Sequence, residues 1–246
     1  MAENKKKKKR KKQRRSGGGA GDLRLHLYRG MQREAGGVYA HILAGMATGA
    51  AIGAIVGRMG LSFIENAARD PLQDAMARTY SRAYAKAMAE AKAPVDAKAA
   101  VFADNYAAAR AAALFGTPTS DGMIQRATRN GVLRNAQSQI TNGVNSAAKV
   151  AASARDSYWF SRTRAATIVR NELLTAANKA IIKAWQRAKT ISGKAWITQS
   201  GDPCPICEAN EGQGPIPLGE PFQSGDMEPL AHVNCECVLE PVRGGA

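Results

Sequence analysis

Every cysteine of the chain lies between Cys204 and Cys237, and one of its three histidines, His232, lies among them. Cys204-Pro205-Ile206-Cys207 is a C-x-x-C knuckle, and His232-Val233-Asn234-Cys235 is an H-x-x-C clip. Cys235 and Cys237 are two apart, so on an extended segment they face the same side. Zinc takes four thiolate or imidazole ligands in a tetrahedron. The five donors therefore predict Cys204, Cys207 and His232 with Cys235 or Cys237 as the fourth, or four cysteines with His232 outside. From Asp202 onward the chain is loop-rich with few large apolar residues, too few to fold on a core of its own. Metal binding supplies folding free energy to such segments. With four protein ligands no water is activated, so the ion (Zn2+) is read as structural. Disulfides compete with this reading. Bridges within Cys204–Cys207 or Cys235–Cys237 would be strained, which leaves cross-pairs such as Cys204–Cys235. A redox C-x-x-C needs a βαβ setting that the sequence lacks, and free thiols are the remaining alternative.

The charge is segregated. Residues 1–15 hold ten Lys/Arg against one Glu, and residues 201–246 hold Arg243 against eight Asp/Glu. Since the whole chain carries +15, the helical body between these ends is itself basic and the cysteine module is an acidic cap. A basic body points to a polyanionic partner, nucleic acid first. Length allows one large or two small domains. Aromatic content of 6% with abundant alanine favours helices packed through small residues. The basic start is not followed directly by an apolar run, so no secretory signal is read and a cytoplasmic site of synthesis is expected.

Lys5, Lys6, Lys7, Lys8, Lys9, Arg10, Lys11, Lys12, Arg14 and Arg15 form a polybasic arm ending in Gly17-Gly18-Gly19. Like charges at this density repel, so the arm is expected to be disordered and to bind DNA phosphates by counterion release. Anionic lipid is the next partner, and a solubilising tail the plain alternative. Val38–Gly57 contains no Asp, Glu, Lys or Arg, and Gly45, Gly49, Gly53 and Gly57 recur every four residues. On a helix they make a smooth ridge for close packing against another helix. The stretch also has the length of a membrane span, so burial against protein and membrane insertion both stand, with burial ahead.

Asp70-Pro71 reads as an N-cap with Pro at N1, opening an Ala-rich helix to about Lys92. Pro94 restarts a helix that carries Val101, Phe102, Tyr106 and Leu114 and stops at Gly116-Thr117-Pro118. Thr119-Ser120-Asp121 caps a third helix, studded with Arg126, Arg129 and Arg134 and weakened at Gly131 and Gly143. From Ser157 to Ala188 an amphipathic helix presents Ala165, Ile168, Val169, Leu173, Ala176, Ala180, Ile181 and Trp185 on one stripe. Arg164, Arg170, Glu172 and Asn178 interrupt it, and surface ion pairing is the plain explanation. Arg170 and Glu172 are two apart and cannot pair with each other, so each needs a partner elsewhere. Ile191–Thr198 reads as a short hairpin or paired strand.

Arg164, Ala165, Ile168, Arg170, Glu172 and Asn178, then Trp196, Asp202, Cys204 and Cys207, then His232, Asn234, Cys235 and Cys237 form an ordered pattern. It resembles the head-morphogenesis domain of tailed-phage minor head proteins of the phage Mu protein F type. The resemblance covers roughly residues 156–242. Relatives usually have Arg-Thr-Glu where this chain has Arg170-Asn171-Glu172, and His-Pro-Asn-Cys-Arg-Cys where it has His232-Val233-Asn234-Cys235-Glu236-Cys237. All candidate ligands are retained, but contacts made by the missing Pro and Arg are not carried over. The resemblance implies a non-enzymatic minor capsid protein of the virion. It would sit in the capsid interior near the portal after assembly in the host cytoplasm. It would contact the portal protein, other head proteins and packaged double-stranded DNA, as an oligomer, and take part in head assembly and DNA ejection.

The expected fold is mainly α: elongated Ala-rich helices with a small C-terminal α+β module stapled by a Cys/His cluster. Its parts are a disordered arm (1–21), a glycine-rich apolar helix region (22–66), an Ala-rich helical region (67–155) and a head-morphogenesis-like domain (156–246). The alternatives are a phage-associated nuclease or toxin-type effector, or a membrane-active ejected protein using Val38–Gly57. A nuclease needs an open metal position or a general base, for which His232 and Glu236 are the only local candidates. A zinc-dependent DNA reader should be basic, whereas this module is acidic.

Overall fold

The structure is a computed structural model. It describes residues 62–117, 120–143 and 157–244, together with Lys149 and Ser153. The polybasic arm (Lys5–Arg15) and the glycine ridge (Gly45, Gly49, Gly53, Gly57) lie outside the described residues.

Four helices carry most of the structure: α1 (Ser62–Glu90), α2 (Ala99–Phe115), α3 (Met123–Thr141) and α4 (Arg162–Ala188). A two-stranded hairpin, β1 (Gly116–Thr117) and β2 (Ser120–Asp121), joins α2 to α3. After α4 come β3 (Ile191–Ile197), α5 (Pro205–Gly212), β4 (Ile216–Pro217) and β5 (Val238–Arg243). The fold is thus mainly helical, with a small antiparallel sheet of order β4–β3–β5 and the Cys/His cluster in the C-terminal region.

α1 packs against both α2 and α4. Leu72, Ala75, Met76, Tyr80, Ala83, Tyr84, Ala87 and Ala91 recur at three- and four-residue intervals and are all buried. α2 answers with Ala103, Ala107, Ala111 and Leu114, and α4 with Ala165, Val169, Leu173, Ala176, Ala180 and Trp185. Alanine at this many contact positions brings the helix axes close, as the composition implies. One apolar cluster runs from Leu72 on α1 to Leu239 on β5, continuous across residue 155.

The expected helix start at Asp70-Pro71 is corrected: α1 begins at Ser62 and Pro71 lies inside it. A proline there removes one helix donor. The burial of Leu72, Ala75 and Met76 on the turn just after it accounts for the helix running through. α2 starts at Ala99, five residues after Pro94, where Asp96 Oδ1 accepts from Lys98 N–H at 2.8 Å. It ends where Gly116 takes φ 83°, a left-handed value that costs glycine no steric strain. Gly131, read from sequence as a weak point, is a contact. A Cβ there would lie 1.8 Å from Trp159 Cε2, so the bare α3 backbone is what lets the indole lie against it.

The helix expected from Ser157 is broken. Tyr158–Phe160 form one 3-10 turn, Ser161 is extended, and α4 begins at Arg162 with Ser161 Oγ accepting from Arg164 N–H at 3.1 Å. This is an ordinary N-cap. The apolar stripe on α4 is as read, with Ile168 and Ile181 partly buried at its edges. Of the polar interruptions, Arg170 forms the expected ion pair, half-exposed, with Glu236, and the other three do not lie at the surface. Arg164, Glu172 and Asn178 are buried, and each has a partner within the fold. Arg164 Nη1 donates to Trp159 O at 2.8 Å, and burial lowers its pKa. Glu172 takes a two-pronged pair from Arg110 of α2, with Nε to Oε2 at 2.6 Å and Nη2 to Oε1 at 2.8 Å.

Ile191–Ile197 is a paired strand, the centre of the sheet. It runs antiparallel to β5 with Trp196 opposite Leu239, and to β4 with Lys194 opposite Ile216. Trp196 meets Phe222 edge-on, with ring centroids 5.1 Å apart. Among the described residues no helix is long and apolar enough to cross a membrane.

Arg110→Ala leaves the Glu172 carboxylate buried without its cation. It is expected to lower the unfolding free energy by about 2 kcal/mol, below the full range for a buried pair because Arg110 is partly exposed. Urea unfolding measures this. A double Arg110→Ala/Glu172→Ala variant should recover part of the loss, and an unchanged midpoint in the single variant would show that the pair does not tie α2 to α4.

Candidate metal centre

The C-x-x-C knuckle forms because it is a helix start. Cys204 is extended (φ −69°, ψ 158°), Pro205 takes the first helical position of α5, and Cys204 Sγ accepts from Cys207 N–H at 3.5 Å. That backbone contact is the main reason the Cys204 thiol is lowered in pKa. Cys207, one turn along, is buried beneath it.

The second clip is a tight turn. Asn234 adopts φ 64°, a left-handed value that asparagine tolerates, and Cys235 N–H donates back to His232 O at 3.1 Å. His232 Nδ1 sits 2.9 Å from Val233 O. A carbonyl can only accept, so Nδ1 carries a proton, and Nε2 is the ring atom that faces the cysteines. Nε2 is 3.2 Å from Cys204 Sγ and 3.3 Å from Cys207 Sγ. Cys207 Sγ is in turn 3.7 Å from Cys235 Sγ.

All five predicted donors are thereby brought together, as two triads: Cys204, Cys207, His232 and Cys207, Cys235, Cys237. Within each, the donor atoms lie within 4.8 Å of one another, and Cys207 belongs to both. Such groups can hold a metal ion. The four cysteines are free thiols, so the disulfide pairing is not the one adopted.

The thiols are electrically unequal. Burial pushes Cys207 up to about 12. Cys235 is held down at about 5, first by a hydrogen bond from the Cys237 thiol and then by backbone N–H groups. Cys237 is raised because it supplies that proton and is itself buried. Two thiols, Cys204 and Cys235, are thus lowered and two are raised, beside a histidine raised chiefly by the Val233 carbonyl. A divalent cation held by these atoms would favour the thiolate forms and release thiol protons.

Three straps fix the loop that delivers His232. Lys194, fully buried on β3, donates Nζ to Met227 O at 2.6 Å and lies 5.2 Å from the Phe222 ring centre. Its pKa is lowered by desolvation. Asn178 Nδ2 donates to Pro229 O at 2.8 Å, and Lys179 Nζ pairs with Glu228 at 2.5 Å. The Cys235 turn is tied directly to α4: Asn234 N–H donates to Asn171 Oδ1 at 3.2 Å, and Arg170 pairs with Glu236. Glu236, considered above as a general base, is engaged in that ion pair.

The far side of α5 is knotted likewise. Buried Asn210 bonds Ser224 in both directions (2.9 and 3.2 Å), and Glu211 accepts from Thr198 Oγ1 at 2.8 Å. Sequence reasoning missed the roles of Lys194 and Asn171. For Lys194 a signal existed: a lysine beside Ala195-Trp196-Ile197 at the centre of an apolar strand must find a carbonyl or a carboxylate.

The chain matched no family model, no curated protein and no solved structure.

Because Cys207 serves both triads, Cys207→Ser is expected to reduce affinity for Co2+ or Zn2+ by at least 100-fold, whereas Cys237→Ser costs about 10-fold or less. Competition with a chromophoric chelator measures both. Equal losses in the two variants would mean that Cys207 is not the shared ligand.

Proposed function

We propose that this chain is a minor structural protein of a tailed-phage head, bound near the portal and to packaged double-stranded DNA, and that its C-terminal module carries a structural zinc ion. The supporting observation is that the two stretches that carry the resemblance, on α4 and around the cysteines, are bonded to each other, in part through Asn171 and Glu236, where this chain differs from the relatives. Arg170 pairs with Glu236, Asn171 holds the Asn234 turn, and Asn178 holds the loop before His232. The two stretches therefore lie together in the fold.

Zinc fits the donor set. With zinc–sulfur bonds of about 2.3 Å and zinc–nitrogen bonds of about 2.0 Å, a tetrahedron has S–S edges of about 3.8 Å and S–N edges of about 3.5 Å. The Cys207–Cys235 separation is 3.7 Å, and the two S–N separations are 3.2 and 3.3 Å. Cys204, Cys207 and His232 are the preferred ligands, with Cys235, 3.7 Å from Cys207 in the second triad, closing on them as the fourth and Cys237 behind it as a hydrogen-bond donor. Four protein ligands leave no open position for activating water, which favours an architectural role over hydrolysis. The basic arm, Lys5–Arg15, supplies the sequence-independent attraction to DNA, and the acidic zinc module is the part that docks on the portal. Val38–Gly57 remains the segment for a tight helix–helix contact or a membrane.

The test is cross-linking mass spectrometry on purified particles of the phage or prophage that encodes the chain. Cross-links from residues 202–243 to the portal protein are expected, and their loss after Cys207→Ser. Particles that lack the chain altogether would overturn the proposal.

A further inference from the structure

We infer that one exposed face of α3, together with Tyr158, is a second DNA-contacting surface that grips the phosphodiester backbone of duplex DNA. The inference rests on the DNA-binding part of the function proposed above and adds to it a site on the folded body.

The sequence between Gly122 and Arg155 contains no Asp or Glu, while Arg126, Arg129, Arg134, Lys149 and Arg155 are all cationic. A helix kept soluble by ordinary surface ion pairs mixes both signs at four-residue spacing. α3 has only one sign. Arg126, Asn130, Arg134 and Ser138 are exposed and follow one another at intervals of four, so they share a face. At 1.5 Å per residue, Arg126 and Arg134 stand about 12 Å apart along the axis, a span that fits phosphates across or along a groove. Each of these residue types donates hydrogen bonds to phosphate oxygens.

The adjoining 3-10 turn completes the surface. Tyr158 is 55% exposed, large enough an aromatic to need a reason at the surface, and its ring stands edge-on to Trp159 at 5.8 Å. Trp159 lies against Gly131 and receives two guanidinium groups, Arg134 at 6.0 Å and buried Arg164 at 5.1 Å from the ring centre. The contact with Trp159 orients Arg134 rather than leaving it to sweep solvent, so less side-chain freedom is lost on binding. Charge complementarity with a polyanion, on a helix without an acidic residue, is what selects duplex DNA as the occupant.

The experiment measures binding of the full chain to a random-sequence duplex of about 30 base pairs across salt concentrations. Arg126→Ala/Arg134→Ala is expected to lower the slope of log K against log salt by about 2, with Arg126→Lys/Arg134→Lys restoring it. Asn130→Asp, a near-isosteric change on the same face, should weaken binding several-fold while leaving the circular dichroism unchanged. A full-length chain with Lys5→Ser to Lys9→Ser separates the two sites. If that variant loses DNA affinity while the α3 variants keep the slope and affinity of the original chain, the α3 surface is overturned and the arm reading stands. If the original chain binds no duplex at all, both fall.

Discussion

Three consecutive residues in the middle of α4 hold the molecule together. At 100° per residue, Arg170, Asn171 and Glu172 leave the helix in three directions. Arg170 pairs with Glu236 beside the cysteines, Asn171 receives the N–H of the Asn234 turn, and Glu172 receives the Arg110 fork from α2. One turn of helix thus joins the alanine-packed body to the cysteine tail. The tail needs this. Its apolar contribution is a handful of side chains, Phe222, Leu218, Ile216 and Leu239 among them, and its backbone is mostly irregular. A segment like that gains too little from burial to offset the entropy of ordering it. Polar straps to α4 and β3 supply part of the difference, and a metal ion binding the same turns would supply the rest.

The straps also decide where charge remains. The tail is acidic and the body basic, and several of their contacts are ionic or charge-assisted: Arg170 with Glu236, Lys179 with Glu228, and Arg243 with the Glu90 carbonyl. Arg170 and Lys179 of α4 are thereby engaged with the tail, while α3 lies beside the 3-10 turn and α2. The segregation seen in sequence, basic body against acidic end, becomes in the folded chain a set of ionic contacts between α4 and the tail. This is an electrostatic consequence of chain order, since the tail follows α4 directly and folds back over it.

Local chemistry was legible and distant partnership was not. The five donors could be named from spacing because each clip is made by a turn of its own residues, and the stripe on α4 because helical period fixes which side chains share a face. The requirement that Arg170 and Glu172 find separate partners followed from the same period. Their identities did not, because Arg110 is 62 residues from Glu172 and Glu236 is 66 from Arg170. The misread start at Asp70-Pro71 has the same origin. A proline is an excellent first-turn residue, but the burial of Leu72, Ala75 and Met76 against other helices is tertiary, and it carries α1 through the proline. Surface ion pairing describes Arg170 but not Arg164, Glu172 or Asn178, because a single helix gives no sign that its far face will be covered by another part of the chain.

The sharing of Cys207 between two triads bears on how such a site forms. Cys204 and Cys207 are preset by the start of α5 before any ion arrives, since Pro205 and the Cys207 N–H shape that turn without help. His232 and Cys235 are preset by their own turn, and Cys237 begins the run into β5. What is not local is the meeting of the two halves, and that is where Lys194 and Asn178 act, on the carbonyls of Met227 and Pro229. A buried lysine is costly in an apolar strand unless its ammonium is fully used. Its presence at the sheet centre makes sense if bringing His232 to Cys207 is worth that cost. The protein scaffold thus performs the long-range closure with ordinary hydrogen bonds, and an ion would have only short gaps left to span.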